Sequence, residues 1–175
     1  MPISLIAVAS VNALITRNEE PGTGFASQAD FDWFRQQLAD SDLVLLGGAT
    51  YRAARESIRE NARKGPPRWV FSTQIEQYEG ETIPGAIEFR TLDRERFLAD
   101  TAARGFTNIA LVGGPALSTW FLDQGLVDEL YLTVEPVIFS SGTPLVTPAR
   151  NIDLALESAE RLSDQTLLLH YRLKR

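Results

Sequence analysis

Two segments of this chain could hold an anion. Leu45-Leu46-Gly47-Gly48-Ala49-Thr50 and Leu111-Val112-Gly113-Gly114-Pro115-Ala116 each set a glycine pair between an apolar run and a helical pattern. Glycine lets a ligand approach the backbone, and the helix that follows presents unpaired N–H groups and a positive dipole end, which suit a pyrophosphate. Two such junctions suggest a dinucleotide; a tight turn made by each pair on its own is the alternative. Neither fits G-x-G-x-x-G, so an ordinary Rossmann fingerprint is absent. Arg52, in the helix after the first pair, and Ser72 and Thr73, after a later apolar run, offer the charge-assisted donors that a 2′-phosphate takes. Taken alone, they are also what an ordinary surface carries.

The most informative acid is Asp30. At 100° per residue Phe31, Phe34 and Leu38 form the apolar face of a helix from Ser27 to Asp40, and Asp30 projects at its edge between Phe34 and Trp33, with Asp32 on the opposite side. Asp30 is thus a candidate pocket carboxylate. Ser27-Gln28-Ala29-Asp30 is equally a capping box, in which Asp30 would bond back to the Ser27 backbone. Thr133 and Glu135 share one face of a long strand pattern, and Pro136 marks a bulge or sheet edge. His170 lies among leucines, where a satisfied or solvent-facing ring is the simpler reading.

Composition removes other chemistries. The 175 residues include no cysteine and a single histidine, so thiolate zinc, iron–sulfur clusters, cysteine nucleophiles and multi-histidine metal sites are excluded. A reducing cytoplasm is the expected compartment. The net charge of −6, with no basic cluster, argues against nucleic acid and anionic lipid as partners. No apolar run approaches the roughly 20 residues that span a bilayer. Ile3 to Ala9 has no basic residue before it and reads as a strand rather than an export signal.

These groups need a frame to converge. Ile3 to Ala9, Leu43 to Leu46, Trp69 to Phe71 and Ile109 to Val112 are nearly continuous apolar stretches, as in strands buried on both faces of a mainly parallel sheet. Helical patterns cover Ser27 to Asp40, Thr50 to Ala62, Asp93 to Arg104 and Pro115 to Gln124, the last closed by Gly125. Glu129 to Phe139 is a long strand, and Leu154 to Leu162 with Thr166 to Leu173 forms a hairpin across Ser163 and Asp164. Pro21-Gly22-Thr23-Gly24 makes a loop after the first strand, a lid or an idle connection. The expectation is a single α/β domain over residues 1–175: a mixed, mainly parallel sheet ending in an antiparallel hairpin, with four flanking helices.

Ile3 to Ala7, Ala29-Asp30-Phe31-Asp32-Trp33-Phe34, Gly47 through Ile58, Phe71-Ser72-Thr73-Gln74, Val112-Gly113-Gly114 and Leu130-Tyr131-Leu132-Thr133 follow one another in the order and spacing of the dihydrofolate reductase superfamily, which the whole chain resembles. Gly125 to Leu130, with Gly142-Thr143-Pro144-Leu145, is more similar to the branch formed by the reductase domain of the bifunctional riboflavin-biosynthesis deaminase-reductase, the RibD C-terminal domain. The resemblance implies the three-layer dihydrofolate reductase-like fold and NADPH across the carboxyl edge of the sheet. Gly47, Gly48, Thr50 and Arg52 would lie on one phosphate side, Ser72 and Thr73 near the adenosine phosphate, and Gly113, Gly114, Pro115, Ala116 and Leu117 around the pyrophosphate and nicotinamide. It implies for Asp30 a bond to the N–C–N edge of a heterocycle, supported from Thr133. The same resemblance predicts a cis peptide between Gly113 and Gly114, and a homodimer.

Two departures bear on the substrate. Glu19 to Phe25 has no tryptophan and Gly65-Pro66-Pro67 stands where folate reductases carry the arginine for folate's glutamate tail, which points away from folate. Ser10-Val11-Asn12-Ala13 replaces the Asp-Gly usual after the first strand of riboflavin-type reductases. The function expected is hydride transfer from NADPH to a small pyrimidine- or pterin-like heterocycle, with dihydrofolate reduction and a nucleotide-binding module without turnover as the alternatives.

Overall fold

The computed structural model describes residues 1–18, 20 and 22–174. Its centre is β1 (Ile3–Ser10), buried almost throughout because both edges and both faces are covered. β5 (Ile109–Leu111) pairs parallel with its first half, Leu5 opposite Leu111, and β6 (Glu129–Glu135) pairs parallel along it from Ser4↔Glu129 to Ser10↔Glu135. Outward from β5 follow β2 (Leu43–Gly47), β3 (Arg68–Phe71) and β4 (Ile87–Arg90), all parallel. Beyond β6 come β8 (Leu167–Leu173) and β7 (Leu154–Arg161), antiparallel, giving the order β4-β3-β2-β5-β1-β6-β8-β7.

Helices cover both faces, as right-handed crossovers require when connections run in opposite directions along a sheet. α1 (Gln28–Asp40), α2 (Gly48–Ala53) and α3 (Arg55–Glu60) serve connections running toward β4. Their side chains Trp33, Phe34, Leu38, Tyr51 and Ile58 pack with Ile6, Val44, Leu46 and Val70. α4 (Arg94–Ala103) and α5 (Pro115–Asp123) serve those running back, and Phe97, Leu117 and Phe121 pack with Leu5, Leu45, Trp69 and Leu111 on the other face. The three layers and the antiparallel end agree with the expectation from sequence.

Several details differ. The helix expected over Thr50 to Ala62 begins at Gly48 and breaks at Ala54, whose φ of −116° and ψ of 19° leave the helical basin. No glycine or proline announces the break, so the described residues hold five α-helices where four were expected. β4 was not anticipated, since Ile87, Glu88, Phe89 and Arg90 alternate apolar and polar instead of forming the continuous apolar run that marks the central strands. The long strand stops at Glu135 rather than Phe139 because Pro136 has no N–H for the ladder; Val137 N–H instead turns back to the Glu135 carbonyl at 2.8 Å. Phe31 is 50 % exposed, so the buried stripe of α1 runs through Asp30, Trp33, Phe34 and Leu38. The peptide between Gly113 and Gly114 is trans, like every other among the described residues. Positive φ angles of 143° and 84° at the two glycines make the turn without cis geometry. Of the loop expected at Pro21 to Gly24, Pro21 lies outside the described residues.

α5 ends as foreseen. Gly125, at φ 65°, donates to the Leu122 carbonyl and Leu126 donates to that of Phe121, a Schellman closure with both Phe121 and Leu126 in the core. A Cβ at position 125 would meet only the Arg150 guanidinium, at 3.8 Å, so the cost of a side chain there is conformational. Gly125→Ala should lower stability by about 1 kcal/mol, read as a reduced urea midpoint at unchanged slope.

Candidate active site

The two glycine junctions meet because β2 and β5 are parallel neighbours in register. Gly47 N–H donates to the Gly113 carbonyl at 3.0 Å, tying the two strand-to-helix turns together by backbone alone. Space between them is short. A Cβ on Gly113 would lie 3.2 Å from Thr50 Oγ1, and one on Gly114 would lie 3.7 Å from Gly47 Cα. Gly114 caps α5 without a side chain and Pro115 holds the first helical position, so the amides of Ala116 and Leu117 begin the helix without intrahelical acceptors. Leu117 itself is buried in the core and contributes backbone rather than side chain to the cradle.

Arg52 lies over Gly48, where its Nη1 donates to the Tyr78 hydroxyl at 2.6 Å. Tyr78 is held by stacking on Phe89, with ring centroids 4.5 Å apart. Ser72 and Thr73 follow β3, and Ser72 Oγ accepts from Gln74 N–H at 3.1 Å. Among the described residues no hydrogen bond joins Arg52 to Ser72 or Thr73. Gly47, Gly48, Thr50, Arg52, Gly113 and Gly114 thus form one cluster, with Ser72 and Thr73 farther along the same carboxyl edge.

The acid sits on the other side of β1. Asp30 is only 7 % exposed in the first turn of α1, and Thr133 of β6 is fully buried. Ser27 Oγ accepts from Asp30 N–H at 3.2 Å, half of the capping box. The other half is missing: Ser27 N–H donates to Glu135 Oε1 at 2.8 Å, so the Asp30 carboxyl does not cap its helix. The Thr133 hydroxyl has no hydrogen-bond partner among the described residues. Burial raises the pKa of Asp30 above the ordinary carboxyl range; the nearby Thr133 hydroxyl pulls it down and the Glu135 charge pushes it further up. No salt bridge reaches Asp30 among the described residues.

Glu135, buried at 3 % exposure, is the functional candidate that motif reading passed over. Its signal was present in the alternation that put it on the face of Thr133. Along the same face, Trp33 of α1 packs on Tyr131, and His170 stacks flat on Tyr131 at 4.2 Å, a structural place for the one histidine. A shallow depression bounded by Asp128, Glu129, Ala155 and Arg172 opens at the amino end of β6, away from both clusters.

At the carboxyl edge the chain leaves β1 in one direction and, through α5, crosses from β5 past β1 to β6 in the other. Open α/β sheets hold ligands at this kind of switch point. A backbone cradle with a helix start on one flank and a buried acid beside an unpartnered hydroxyl on the other suit an anionic dinucleotide and a flat polar ring, respectively.

Known proteins share this fold. A curated relative, the uncharacterized protein YwjB of Bacillus subtilis, is 28% identical over 131 residues, 74% of this chain and 72% of YwjB. A pyrimidine reductase-like protein of Corynebacterium diphtheriae superposes with a TM-score of 0.80 at 18% identity, over 99% of this chain and 92% of that one. The riboflavin biosynthesis reductase Rib7 of Saccharomyces cerevisiae follows at 0.73 and 14%, over 99% and 90%. Dihydrofolate reductase of Enterococcus faecalis, solved with NADP(H) and RAB-propyl, reaches 0.66 at 13%, over 99% and 97%, which places the architecture among dihydrofolate reductase-like folds. Residues 3–168 match the sequence model of the RibD C-terminal domain, so with nearly its whole length the chain belongs to the RibD C-terminal domain family, the reductase side of riboflavin-type enzymes.

Proposed function

We propose that the protein is an NADPH-dependent reductase acting on a small pyrimidine- or pterin-like heterocycle of the kind reduced in riboflavin biosynthesis. One observation carries this reading: a buried carboxyl that, among the described residues, has no cation and stands beside a buried hydroxyl without a partner, on the carboxyl edge that also bears the paired glycine junctions. The residues suit the cofactor. Gly113 and Gly114 leave the room that a Cβ would fill, the start of α5 offers amides to a pyrophosphate, and Arg52 over Gly48 offers a cation to a phosphate. When bound, NADPH supplies hydride from C4 of its nicotinamide.

The chain's own work is orientation and proton supply. Asp30 faces the N–C–N edge of the ring, with Thr133 as a second polar contact, and fixes which C=N or C=O bond lies toward the nicotinamide. A carboxyl whose pKa is raised by burial keeps its proton to higher pH than an exposed one and can give it to the ring nitrogen or oxygen as hydride arrives. α1, through Trp33 and Phe34, keeps that side of the site apolar.

A panel of pterins and pyrimidines, assayed by NADPH oxidation, tests the reading. Asp30→Asn should lower kcat/KM on the responsive compound by roughly 10² to 10⁴ while melting changes little, because the carboxyl is not the helix cap. Tight NADPH binding with no oxidation by any compound would instead identify a nucleotide-binding module. Arg52→Ala should weaken NADPH by roughly 1.5 to 3 kcal/mol and NADH hardly at all in calorimetric titration; equal losses would show that Arg52 does not read the 2′-phosphate.

The raised pKa of Asp30 also has a stability signature. The folded protein keeps a proton that the unfolded chain releases near the ordinary carboxyl value of about 4. The contribution is fully present below that pH and is lost as pH rises through the folded value. Urea midpoints of the native protein should therefore fall across this window relative to Asp30→Asn, which has no such proton; parallel curves would contradict it.

A further inference from the structure

Glu135 ends β6 and is nearly sealed from solvent, yet no cation pairs with it among the described residues. Its two oxygens are both used. Oε1 accepts from Ser27 N–H at 2.8 Å, and Oε2 accepts from the Thr166 hydroxyl at 3.0 Å. Thr166 Oγ1 and Ser27 Oγ are themselves 3.1 Å apart, and Ser27 Oγ accepts from Asp30 N–H. One closed set of hydrogen bonds thus joins the end of β6, the residue before β8 and the start of the helix that carries the acid.

Burying an unpaired carboxylate is costly even when it is hydrogen-bonded. A cheaper acceptor for Ser27 N–H stands within the helix, since the third residue of a capping box ordinarily reaches back to the cap amide. That residue is Asp30. Glu135 has taken its place, and the Asp30 carboxyl is not engaged by the Ser27 amide and lies beside the Thr133 hydroxyl.

We propose that Glu135 is a positioning residue for the acid: it occupies the Ser27 amide that Asp30 would otherwise cap and so holds the Asp30 carboxyl free, toward Thr133 and the substrate side. This rests on the reading of Asp30 as the substrate-facing acid. Electrostatics acts in the same direction. Of the groups around Asp30, β6 contributes Thr133 and the charge of Glu135, the turn before β8 contributes the neutral Thr166, and Asp32 and Arg35 of α1 are exposed to solvent. The Glu135 charge opposes a second charge on Asp30.

The test is a ¹³C NMR titration of the Asp30 carboxyl in the native protein, in Glu135→Gln and in Glu135→Ala, with pH–rate profiles on the same samples. Glu135→Gln keeps the size and an acceptor for Ser27 N–H, so it should fold normally. Asp30 should then titrate at lower pH, and the alkaline limb of kcat/KM should move down with it. In Glu135→Ala the freed Ser27 amide should draw the Asp30 carboxyl back as a cap, with kcat/KM falling on the order of 10²-fold. An Asp30 titration and kcat/KM unmoved in Glu135→Ala overturn the proposal, even if that variant melts earlier, since Glu135 would then be only a structural clamp. The titration needs no turnover, so an active Asp30→Asn would refute the catalytic reading separately.

Discussion

Everything at the carboxyl edge depends on the two-sided parallel pairing of β1. β5 and β6 run alongside it in fixed register: β5 ends with Leu111 opposite Leu5, midway along β1, and β6 continues with it to Ser10 opposite Glu135. Ser10 and Glu135, more than a hundred residues apart in the chain, stand side by side without any long loop having to reach. Parallel strands cannot be joined by tight turns, so each end must lead into a crossover, and the crossovers deliver helix starts to the same edge. The buried apolar residues of β1 make that register firm, since a slip by one residue would exchange the sets facing the two helical layers.

The two flanks of the site use different physics. On the β2–β5 side the cradle is backbone: a single N–H to carbonyl bond between Gly47 and Gly113, glycines at positive φ, and a helix start without a side-chain cap. On the β6 side the site is made of buried side chains whose charges and hydroxyls are balanced against one another, with two carboxyls in one region and, among the described residues, no cation paired with either. Such a region is sensitive to every proton it holds, whereas the backbone cradle is indifferent to pH.

Much of this was legible in the sequence, and what was not has identifiable causes. Continuous apolar runs and helical periods located β1, β2, β3, β5 and most helices, because burial on both faces leaves an unambiguous mark. The glycine pairs located the cradle, since few other residues can make that turn. β4 was missed because Ile87, Glu88, Phe89 and Arg90 alternate over only four residues, with the polar pair engaged by Arg104 and Asp100. The break at Ala54 has no local signal at all. The cis peptide came from family likeness rather than from the residues, and the two glycines turn without it. Asp30 was visible, but its partner was not: capping-box spacing pointed inward to the helix, while the atom that takes the Ser27 amide comes from 108 residues away.

The backbone origin of the cradle has an evolutionary consequence. A surface built from main-chain atoms hardly changes when neighbouring side chains are exchanged, so substitutions in the wall formed by α1 and β6 can drift without disturbing the glycine turns. Selection can then rework the side chains of α1 and β6 while the turns at Gly47, Gly113 and Gly114 are inherited unchanged.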